Sequence, residues 1–286
     1  MKILLTGTSG QLGYELERSL QGIGEVVALE RGKMDLSDLD SVRDAIRAVQ
    51  PGLIVNPAAY TAVDKAESEP QLATRINAEA PAVMAQEAFR LGAALVHYST
   101  DYVFDGGKNG PYLEGDATGP LNVYGRSKLA GEQAIIASGV PHLIFRTSWV
   151  YGMRGKNFLL TMLRLARERD ELRVVDDQHG APTWSRTIAD STALALAQAR
   201  AGGPEWWRQH SGVYHLSSQG QTTWFGFTQA ILAAAQIDCR LIPIPSAEYP
   251  VPAARPVNSV LCSDRLIADF CDLPHWQDAL RLCLGK

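Results

Sequence analysis

Tyr124 and Lys128 lie four residues apart in the segment LNVYGRSKLAGEQA and carry a phenol and an ammonium. On a helix, residues i and i+4 share one face, so both groups can address the same point in space. A free phenol has a pKa of about 10. The Lys cation, and a second cation on a bound oxidised nicotinamide, would favour the phenolate and lower that pKa towards neutrality. The spacing therefore predicts an activated acid/base.

Two other segments give this pair a context. The strand-like run LVHYST ends in Ser99 and Thr100, and the chain contains no other Tyr-x3-Lys pair. Alone, such a pair is more often a solvated helix face. A glycine turn, strand-end hydroxyls and a Tyr-Lys pair, in that order, together predict transfer of a hydride to or from a carbonyl carbon.

The glycine turn follows a short apolar run at residues 2–5 and contains Gly7, Gly10 and Gly13. A strand, a glycine turn and a helix form a pyrophosphate site, because glycines allow close backbone approach and the helix N-terminus presents free N–H groups. The spacing is G-x-x-G-x-x-G instead of the commoner G-x-G-x-x-G. A turn that only packs helix on strand is the alternative, and the position directly after the first strand favours the dinucleotide site.

A second strand, near residues 25–29, is followed by Glu30, which is well placed to accept both hydroxyls of an adenine ribose. That placement favours NAD, although Glu30 can also be a solvated loop charge. Arg31 could instead meet a 2′-phosphate, so NADP stays open. Asp35, followed by Leu36, has two equal interpretations: it holds the adenine amino group, or it caps a helix that begins near Ser37.

Composition favours a soluble enzyme. The chain has 286 residues, a formal charge of -4 and no basic block, which argues against nucleic acid as a main partner. No apolar run reaches the length of a membrane span, and Met1 leads directly into the first strand, so we expect no membrane anchor, no signal peptide and a cytoplasmic location. Four cysteines without a C-x-x-C pair are interpreted as buried or incidental thiols: Cys239, Cys262, Cys271 and Cys283.

Apolar runs alternate with helical patterns in the first half of the chain. Strands are predicted near residues 2–6, 25–29, 53–56, 94–98 and 142–146, and helices near 11–21, 38–49, 71–91 and 123–137. This alternation is typical of a doubly wound parallel sheet, a Rossmann-like α/β fold. Ligands of such sheets bind beyond the carboxyl ends of the strands. Four segments follow such ends: Gly7, residues 56–59, residues 99–100 and residues 147–149.

The pattern becomes irregular after Tyr151, where the sequence is richer in Pro and Trp. We predict helices near 158–168, 185–199 and 224–236, a strand near 213–216 and a C-terminal helix. The expected organisation is a dinucleotide-binding domain, 1–150, and a smaller α/β domain, 151–286. The second domain is mainly substrate-binding and returns some segments to the main sheet.

Seven motifs extend across nearly the whole chain: TGTSGQLG, NPAAYTAVDKAE, VHYSTDYVFDG, PLNVYGRSKLAGE, FRTSWVYG, DDQHGAPT and ARPVNS. In this order they resemble the dTDP-4-dehydrorhamnose reductase family of extended short-chain dehydrogenase/reductases. The resemblance implies a catalytic triad of Thr100, Tyr124 and Lys128. It also implies reduction, by NADH or NADPH, of the 4-keto group of dTDP-6-deoxy-L-lyxo-4-hexulose to dTDP-L-rhamnose for cell-surface polysaccharide. The reaction class also follows from the residues, whereas the particular sugar follows only from the resemblance.

The resemblance further implies ligand contacts. Expected dinucleotide contacts are Gly7, Gly10, Gln11, Leu12, Gly13, Glu30, Asp35, Leu36, Ala59, Tyr60, Thr61, Ser99, Tyr124 and Lys128. Expected substrate contacts are Thr100, Asp101, Tyr102 and Trp149. Trp149 has a core interpretation as well, because a Trp after a buried strand is often internal. Further candidates for the diphosphate and its surroundings are residues 178–183, QHGAPT, and Arg255, which can equally be a surface cation.

Two residues, His97 and Glu15, are interpreted against a role that they superficially suggest. His97 precedes Thr100 by three residues, and we interpret it as a hydrogen-bonded core histidine because the family scheme needs no imidazole. Some family members dimerise around Mg²⁺ held by glutamates. Glu15 is available for this, but Arg186 occupies the position of a second ligand, and the chain stops soon after Leu284. A cation beside a divalent metal is unfavourable, so we predict no metal, and a homodimer is only a possibility.

Two other functions compete with this one. A related nucleotide-sugar reductase or epimerase would share every cofactor feature and differ in sugar stereochemistry. A non-catalytic regulatory subunit, like the relative that associates with methionine adenosyltransferase, would keep the fold without turnover. The presence of Thr100, Tyr124 and Lys128 beside a complete glycine turn argues against the regulatory subunit.

Overall fold

Strands and helices alternate along the chain in this computed structural model, which describes residues 1–286. The first half contains β1 (Lys2–Leu5), α1 (Gln11–Ser19), β2 (Glu25–Ala28), α2 (Leu39–Val49), β3 (Leu53–Asn56), α3 (Val63–Ala66), α4 (Pro70–Thr74), a π-helical turn (Arg75–Glu79), α5 (Ala80–Leu91), β4 (Ala94–Thr100), a 3-10 turn (Asp101–Val103), α6 (Val123–Ala137) and β5 (His142–Thr147). The second half contains β6 (Val150–Tyr151), α7 (Phe158–Glu168), β7 (Glu171–Val175), β8 (His179–Gly180), β9 (Thr183–Trp184), α8 (Ser185–His210), β10 (Gly212–His215), β11 (Thr222–Thr223), α9 (Trp224–Ala235), β12 (Arg240–Ile244), a 3-10 turn (Ser246–Glu248), α10 (Asp264–Asp269) and α11 (Trp276–Cys283).

Six strands form one central sheet in the order β2-β1-β3-β4-β5-β10. Every neighbouring pair in it is parallel. The strand order changes direction at β1, because β2 lies on one side of it and β3 on the other. Parallel sheets bind ligands at such a switch point, beyond the strand carboxyl ends. The predicted doubly wound parallel sheet is confirmed.

Burial on both faces explains the continuous apolar runs of the strands. All residues of β3, β4 and β5 are buried, as expected of strands covered by helices on each side. One face packs against α1 and α8 through residues such as Leu16 and Ile188. The other packs against α2, α5 and α6 through residues such as Val42, Met84 and Ile135. These two layers fix the carboxyl ends of the strands relative to one another.

The helix predicted near 71–91 is interrupted by the π-helical turn, where Asn77 is buried. The Asn77 side chain accepts from the Tyr60 backbone N–H at 2.8 Å and donates to the Tyr60 carbonyl at 3.0 Å. It also donates to the Ser127 hydroxyl of α6 at 2.9 Å. A Cβ atom at Gly131 would lie 2.2 Å from the Asn77 carbonyl oxygen. The π turn and a glycine therefore bring α6 directly against this segment.

Most other elements agree with prediction, and α6 and α7 have the predicted bounds. The helix expected near 185–199 continues to His210 through a kink at Gly203, where φ is 62°, followed by Pro204. The predicted strand near 213–216 is β10, which returns to the edge of the main sheet. None of the helices combines the length and the apolar character needed for a membrane crossing.

A separate apolar cluster lies in the second half of the chain. It joins α7, β7, α9 and α11 through residues such as Leu159, Leu172, Phe227 and Leu280. Three two-stranded sheets, β7-β12, β6-β9 and β8-β11, connect these helices. By contrast, α8 and β10 contribute to the cluster on the main sheet. All four cysteines are free thiols; Cys283 is buried and the other three are partly buried.

Candidate active site

A cleft of about 590 Å³ opens at the carboxyl ends of β1, β3 and β4. Every predicted cofactor residue except Tyr60 lines it. Arg31, the alternative contact for a 2′-phosphate, also lines it. The other lining residues are Thr6, Thr8, Ser9, Leu29, Met34, Pro57, Ala58, Ile76, Tyr98, Thr147, Val150, Gly155 and Lys156. Tyr60 faces elsewhere, because its hydroxyl donates to Glu69 at 2.7 Å. The neighbours of Tyr60, Ala59 and Thr61, form that part of the wall.

The glycine turn is shaped to admit another backbone or an anion. Gly7 has a φ of +62°, which favours glycine. A Cβ atom at Gly13 would lie 2.1 Å from the Gly7 carbonyl oxygen, so only glycine permits this contact. Helix α1 begins at Gln11 with no side-chain cap and no acidic residue in its first turn. Its free N–H groups therefore face the cleft with an electropositive end.

The far end of the cleft carries the residues predicted for the adenosine. Glu30 is exposed, and Arg31 Nε lies 3.4 Å from Asp35 Oδ2. Asp35 accepts from the Ser37 backbone N–H and hydroxyl, and these hydrogen bonds lower the pKa of the Asp35 carboxyl. The N-cap of α2 is instead Asp38, which accepts from the backbone of Asp40 and Ser41. The interpretation of Asp35 as the helix cap is therefore wrong.

Two unpartnered hydroxyls lie near the middle of the cleft. The side-chain oxygens of Ser99 and Thr147 are buried and have no hydrogen-bond partner, and both residues line the cleft. Such atoms carry a desolvation cost unless a ligand or water satisfies them. Together with the glycine turn, they fit a dinucleotide that presents polar groups along the cleft floor.

Tyr124 and Lys128 lie on the first turns of α6, which Asn122 caps by accepting from the Gly125 N–H at 2.8 Å. Lys128 is buried, and its Nζ donates to the Tyr98 carbonyl at 2.5 Å. Burial lowers the pKa of Lys128 to about 8. The helix thus presents a partly exposed phenol and a buried ammonium to one cleft, as the i, i+4 spacing predicts.

The surroundings of the phenol within the protein raise its pKa. Burial raises the pKa of Tyr124 to about 12, although hydrogen bonding with Thr100 opposes the rise. The Lys128 ammonium is directed to the Tyr98 carbonyl. A lower phenol pKa with a bound oxidised nicotinamide stays a prediction. At neutral pH the phenol carries its proton, which is the form required of a proton donor.

A buried carboxylate lies beside Thr100. The Thr100 hydroxyl donates to Asp101 Oδ1 at 2.9 Å, and the Ser148 hydroxyl donates to Asp101 Oδ2 at 3.1 Å. Burial raises the pKa of Asp101 to about 6. Tyr102 follows, with its ring edge-on to that of Tyr124 at 6.0 Å between centroids. Thr100, Asp101 and Tyr102 do not line the cleft that contains the glycine turn, and they form the side of the site at which Tyr102 contacts Tyr124.

Arg255 lies against this side from the second half of the chain. Its guanidinium donates to Asp64 at 2.9 Å and lies 5.8 Å from the Tyr102 ring centroid. Its side chain is only 18% exposed. Arg255 is therefore a partly buried cation in an ion pair with Asp64, and its contact with the diphosphate stays a prediction.

Trp149 has a strained backbone, with a φ of +46°. Its ring stacks on Trp224 with 3.5 Å between centroids, and a Cβ atom at Gly180 would clash with it at 2.4 Å. Trp224 Nε1 donates to Gln178 Oε1 at 3.2 Å. Within the 178–183 segment, Gln178 and Gly180 thus contact this aromatic pair. His179 lies on β8, and Ala181, Pro182 and Thr183 are buried. Both Trp rings are partly exposed, and Trp224 was missed by sequence reasoning.

The loop at residues 152–157 covers the glycine turn. Asn157 donates to Gln11 Oε1 at 2.8 Å, and the Arg154 guanidinium lies 4.2 Å from the Tyr14 ring centroid. The loop thereby brings Lys156 to the cleft wall. Sequence reasoning missed Lys156. The only available signal was the local run MRGKN, in which glycine and basic residues follow a strand end.

Glu15 pairs with Arg186 through a contact of 3.1 Å. No group of three or more His, Cys, Asp or Glu side chains is arranged to hold a metal ion. A guanidinium therefore lies directly beside the Glu15 carboxylate, where it would repel a divalent cation.

Known proteins resemble this chain over its whole length. The family model for the RmlD substrate binding domain matches residues 1–286. The dTDP-4-dehydrorhamnose reductases of Burkholderia thailandensis and Escherichia coli K12 are 51% and 44% identical to it, covering 99% and 100% of the chain and 98% of each relative. The crystal structure of the Bacillus anthracis dTDP-4-dehydrorhamnose reductase in complex with NADP superposes with a TM-score of 0.92 at 34% identity, covering 99% of this chain and 98% of that one. On this evidence the chain belongs to the dTDP-4-dehydrorhamnose reductase family.

Proposed function

We propose that this protein reduces the 4-keto group of dTDP-4-dehydro-L-rhamnose (dTDP-6-deoxy-L-lyxo-4-hexulose) to dTDP-L-rhamnose with NADPH or NADH. The observation that carries the proposal is that Tyr124, Lys128 and the glycine turn line one cleft. Full-length identity of 51% with a curated reductase supports the choice of sugar. The cofactor, when bound, supplies the hydride.

Three residues are assigned to the chemistry. Tyr124 donates its phenolic proton to the alkoxide that develops at C4, and its raised pKa supports this role because the phenol stays protonated at neutral pH. Thr100 hydrogen-bonds the same oxygen, which requires its hydroxyl to turn from Asp101. Lys128 holds the nicotinamide ribose. Preorganised donors of this kind act on charge that develops only in the transition state.

The remaining contacts divide between cofactor and sugar nucleotide. We assign the dinucleotide to the cleft residues from the glycine turn to Leu36, with Ala59, Thr61 and Ser99, and we omit Tyr60, whose hydroxyl bonds Glu69. We assign Asp101, Tyr102 and Trp149 to the sugar nucleotide. The apolar cluster of α7, β7, α9 and α11 supports a substrate-binding unit within 151–286, with α8 and β10 belonging to the dinucleotide-binding unit.

The test is a coupled assay in which NADPH, and separately NADH, is mixed with the freshly made keto-sugar nucleotide. Oxidation in step with dTDP-L-rhamnose formation is expected. Oxidation that yields another stereoisomer would favour a related reductase, whereas a change of sugar stereochemistry without net oxidation would favour an epimerase. Cofactor binding without any oxidation would contradict the proposal and favour a regulatory subunit.

The cellular setting is part of the proposal. We place the enzyme in the cytoplasm and its product in lipopolysaccharide biosynthesis. Fractionation of cells that express the protein tests the location. A deletion strain should lack rhamnose in its lipopolysaccharide, and an unchanged sugar composition would contradict that assignment.

We also propose that Lys156 contacts the cofactor pyrophosphate, since the 152–157 loop holds it at the glycine turn. Lys156→Met should weaken binding of NADPH and NADH alike, by about three- to tenfold, because one exposed charge–phosphate contact is lost. Isothermal titration measures both dissociation constants. Lys2→Met, an exposed lysine on β1 outside the cleft, is the matched control. A loss confined to NADPH would place Lys156 at the 2′-phosphate instead.

A further inference from the structure

His97 is a buried histidine in direct contact with Lys128. It lies within β4 with no exposed surface, and its register partner on β3 is Asn56. His97 Nε2 lies 3.2 Å from Lys128 Nζ, and Nδ1 lies 3.1 Å from the Asn56 carboxamide nitrogen. Thr6 Oγ1 lies 2.7 Å from the other end of that carboxamide. A chain of polar side chains thus extends from β1 through β3 and β4 to α6.

The donors and acceptors of these four side chains, Thr6, Asn56, His97 and Lys128, determine the direction of each hydrogen bond. A neutral imidazole has one donor and one acceptor nitrogen. Burial and the Lys128 cation hold the pKa of His97 well below its usual range, so the ring is neutral. A protonated Lys128 can only donate, so Nε2 accepts and Nδ1 carries the hydrogen. As placed, the Asn56 nitrogen lies at Nδ1 and Thr6 donates to the Asn56 oxygen. A donating Nδ1 requires the opposite orientation, with the carboxamide rotated so that its oxygen accepts from Nδ1 and its nitrogen donates to Thr6. The oxygen and nitrogen of a carboxamide are assigned from such hydrogen-bond networks.

We propose that His97 is a positioning residue that holds the Lys128 ammonium in place by accepting a hydrogen bond at Nε2, while its Nδ1 donates to the Asn56 carboxamide. The ammonium then has two fixed acceptors, the imidazole and the Tyr98 carbonyl. They leave one N–H of Lys128 for the cleft. This inference rests on the proposed function, because it assigns His97 a role through Lys128. The sequence-based interpretation of His97 as a hydrogen-bonded core residue therefore describes its burial but does not include its contact with Lys128.

The contact has a consequence for the charge of Lys128. An acceptor favours the charged form of an ammonium, so losing it lowers the pKa. The other titratable groups around Lys128 are Tyr124, one turn before it on α6, and Glu132, one turn after it. Glu132 is paired with Arg146 of β5 at 2.6 Å. Burial lowers the pKa of Lys128 to about 8, and the Glu132 carboxylate opposes this. Lys128 is therefore close enough to neutrality for one lost hydrogen bond to matter.

Two polar variants separate positioning from a structural role. In His97→Gln, the side-chain amide reaches as far as Nε2, so its oxygen can accept from Lys128. In His97→Asn, the shorter amide reaches Asn56 and stops short of Lys128. His215→Asn is the control for general destabilisation, because His215 is also fully buried but its Nδ1 lies near the Tyr112 and Cys262 carbonyls.

The first measurement is the pKa of Lys128 in the cofactor-free protein, followed by NMR of ¹³C-labelled lysine and assigned with Lys128→Met. The second is kcat for the keto-sugar from pH 6.5 to 9. His97→Asn should lower the Lys128 pKa. The ratio of its kcat to that of the wild type should then decrease by about tenfold between pH 6.5 and pH 9, because a smaller fraction of Lys128 stays protonated as the pH rises. His97→Gln should keep both values near those of the wild type.

Two outcomes would overturn the inference. One is an unchanged Lys128 pKa in His97→Asn. The other is a loss of kcat that is uniform with pH and equal in His97→Asn, His97→Gln and His215→Asn, which is the signature of destabilisation alone. Absence of turnover in the wild-type protein would count against the proposed function, whereas the NMR titration would still decide the role of His97.

Discussion

Tyr124→Phe should lower kcat by roughly 10²–10⁴-fold, the usual contribution of a positioned acid. The substitution removes only the hydroxyl, so the ring keeps its edge-on contact with Tyr102 at 6.0 Å between centroids. With no phenol, the alkoxide at C4 loses its proton donor. The neighbouring Asp101 has a pKa of about 6 and its oxygens already accept from Thr100 and Ser148, so it is a poor replacement at neutral pH.

Stopped-flow or steady-state oxidation of NADPH measures this loss, and fluorescence titration measures the dissociation constant of NADPH, which should stay within about twofold. Tyr249→Phe is the matched control, because Tyr249 is 60% exposed and lies outside the cleft. It should leave kcat unchanged. A Tyr124→Phe enzyme that retains wild-type kcat would remove Tyr124 from the mechanism.

Gly13→Ala should abolish most cofactor binding. The new Cβ atom would lie 2.1 Å from the Gly7 oxygen and 2.9 Å from the Thr8 nitrogen, so the turn and the start of α1 must separate. Overpacking of this kind costs about 1–3 kcal/mol of unfolding free energy. Because the displaced atoms form the anion site, we expect NADPH and NADH affinities to fall by at least about tenfold.

Gly22→Ala provides the comparison, since a Cβ atom there meets nothing within 4 Å. Thermal unfolding and cofactor titration of both variants separate the two effects. Gly22→Ala should change neither. Wild-type affinity in Gly13→Ala would show that the close contact between α1 and the glycine turn can relax, and the turn would lose its assigned role.

Local patterns were sufficient for much of the fold. The apolar runs that became β3 and β5 are short, continuous and followed by polar residues, which is how strands buried on both faces appear in a sequence. The Gly13 contact is also local, because the strand, the turn and the helix are consecutive. Tyr124 and Lys128 share a face because of helix periodicity alone. Each of these inferences depends on neighbours within about one turn or one strand.

Features that depend on distant partners could not be predicted in this way. Trp224 meets Trp149 across 75 residues, and the sequence gives no sign of that pairing. Asp35 and Asp38 have the same side chain, and only the backbone geometry shows that Asp38 caps α2. The raised pKa of the Tyr124 phenol in the protein alone is another such feature, because burial depends on the whole fold.

The π turn at Asn77 has a consequence for how the two ligands affect each other. Asn77 holds the backbone of Tyr60, between the wall residues Ala59 and Thr61, and donates to Ser127 on the helix that carries Tyr124. We therefore expect binding of a dinucleotide at this wall to be linked, through Asn77, to binding of the sugar nucleotide beside Tyr124. Such linkage is reciprocal by thermodynamic necessity. The factor by which bound cofactor changes the affinity for the nucleotide sugar must equal the factor by which bound nucleotide sugar changes the affinity for the cofactor.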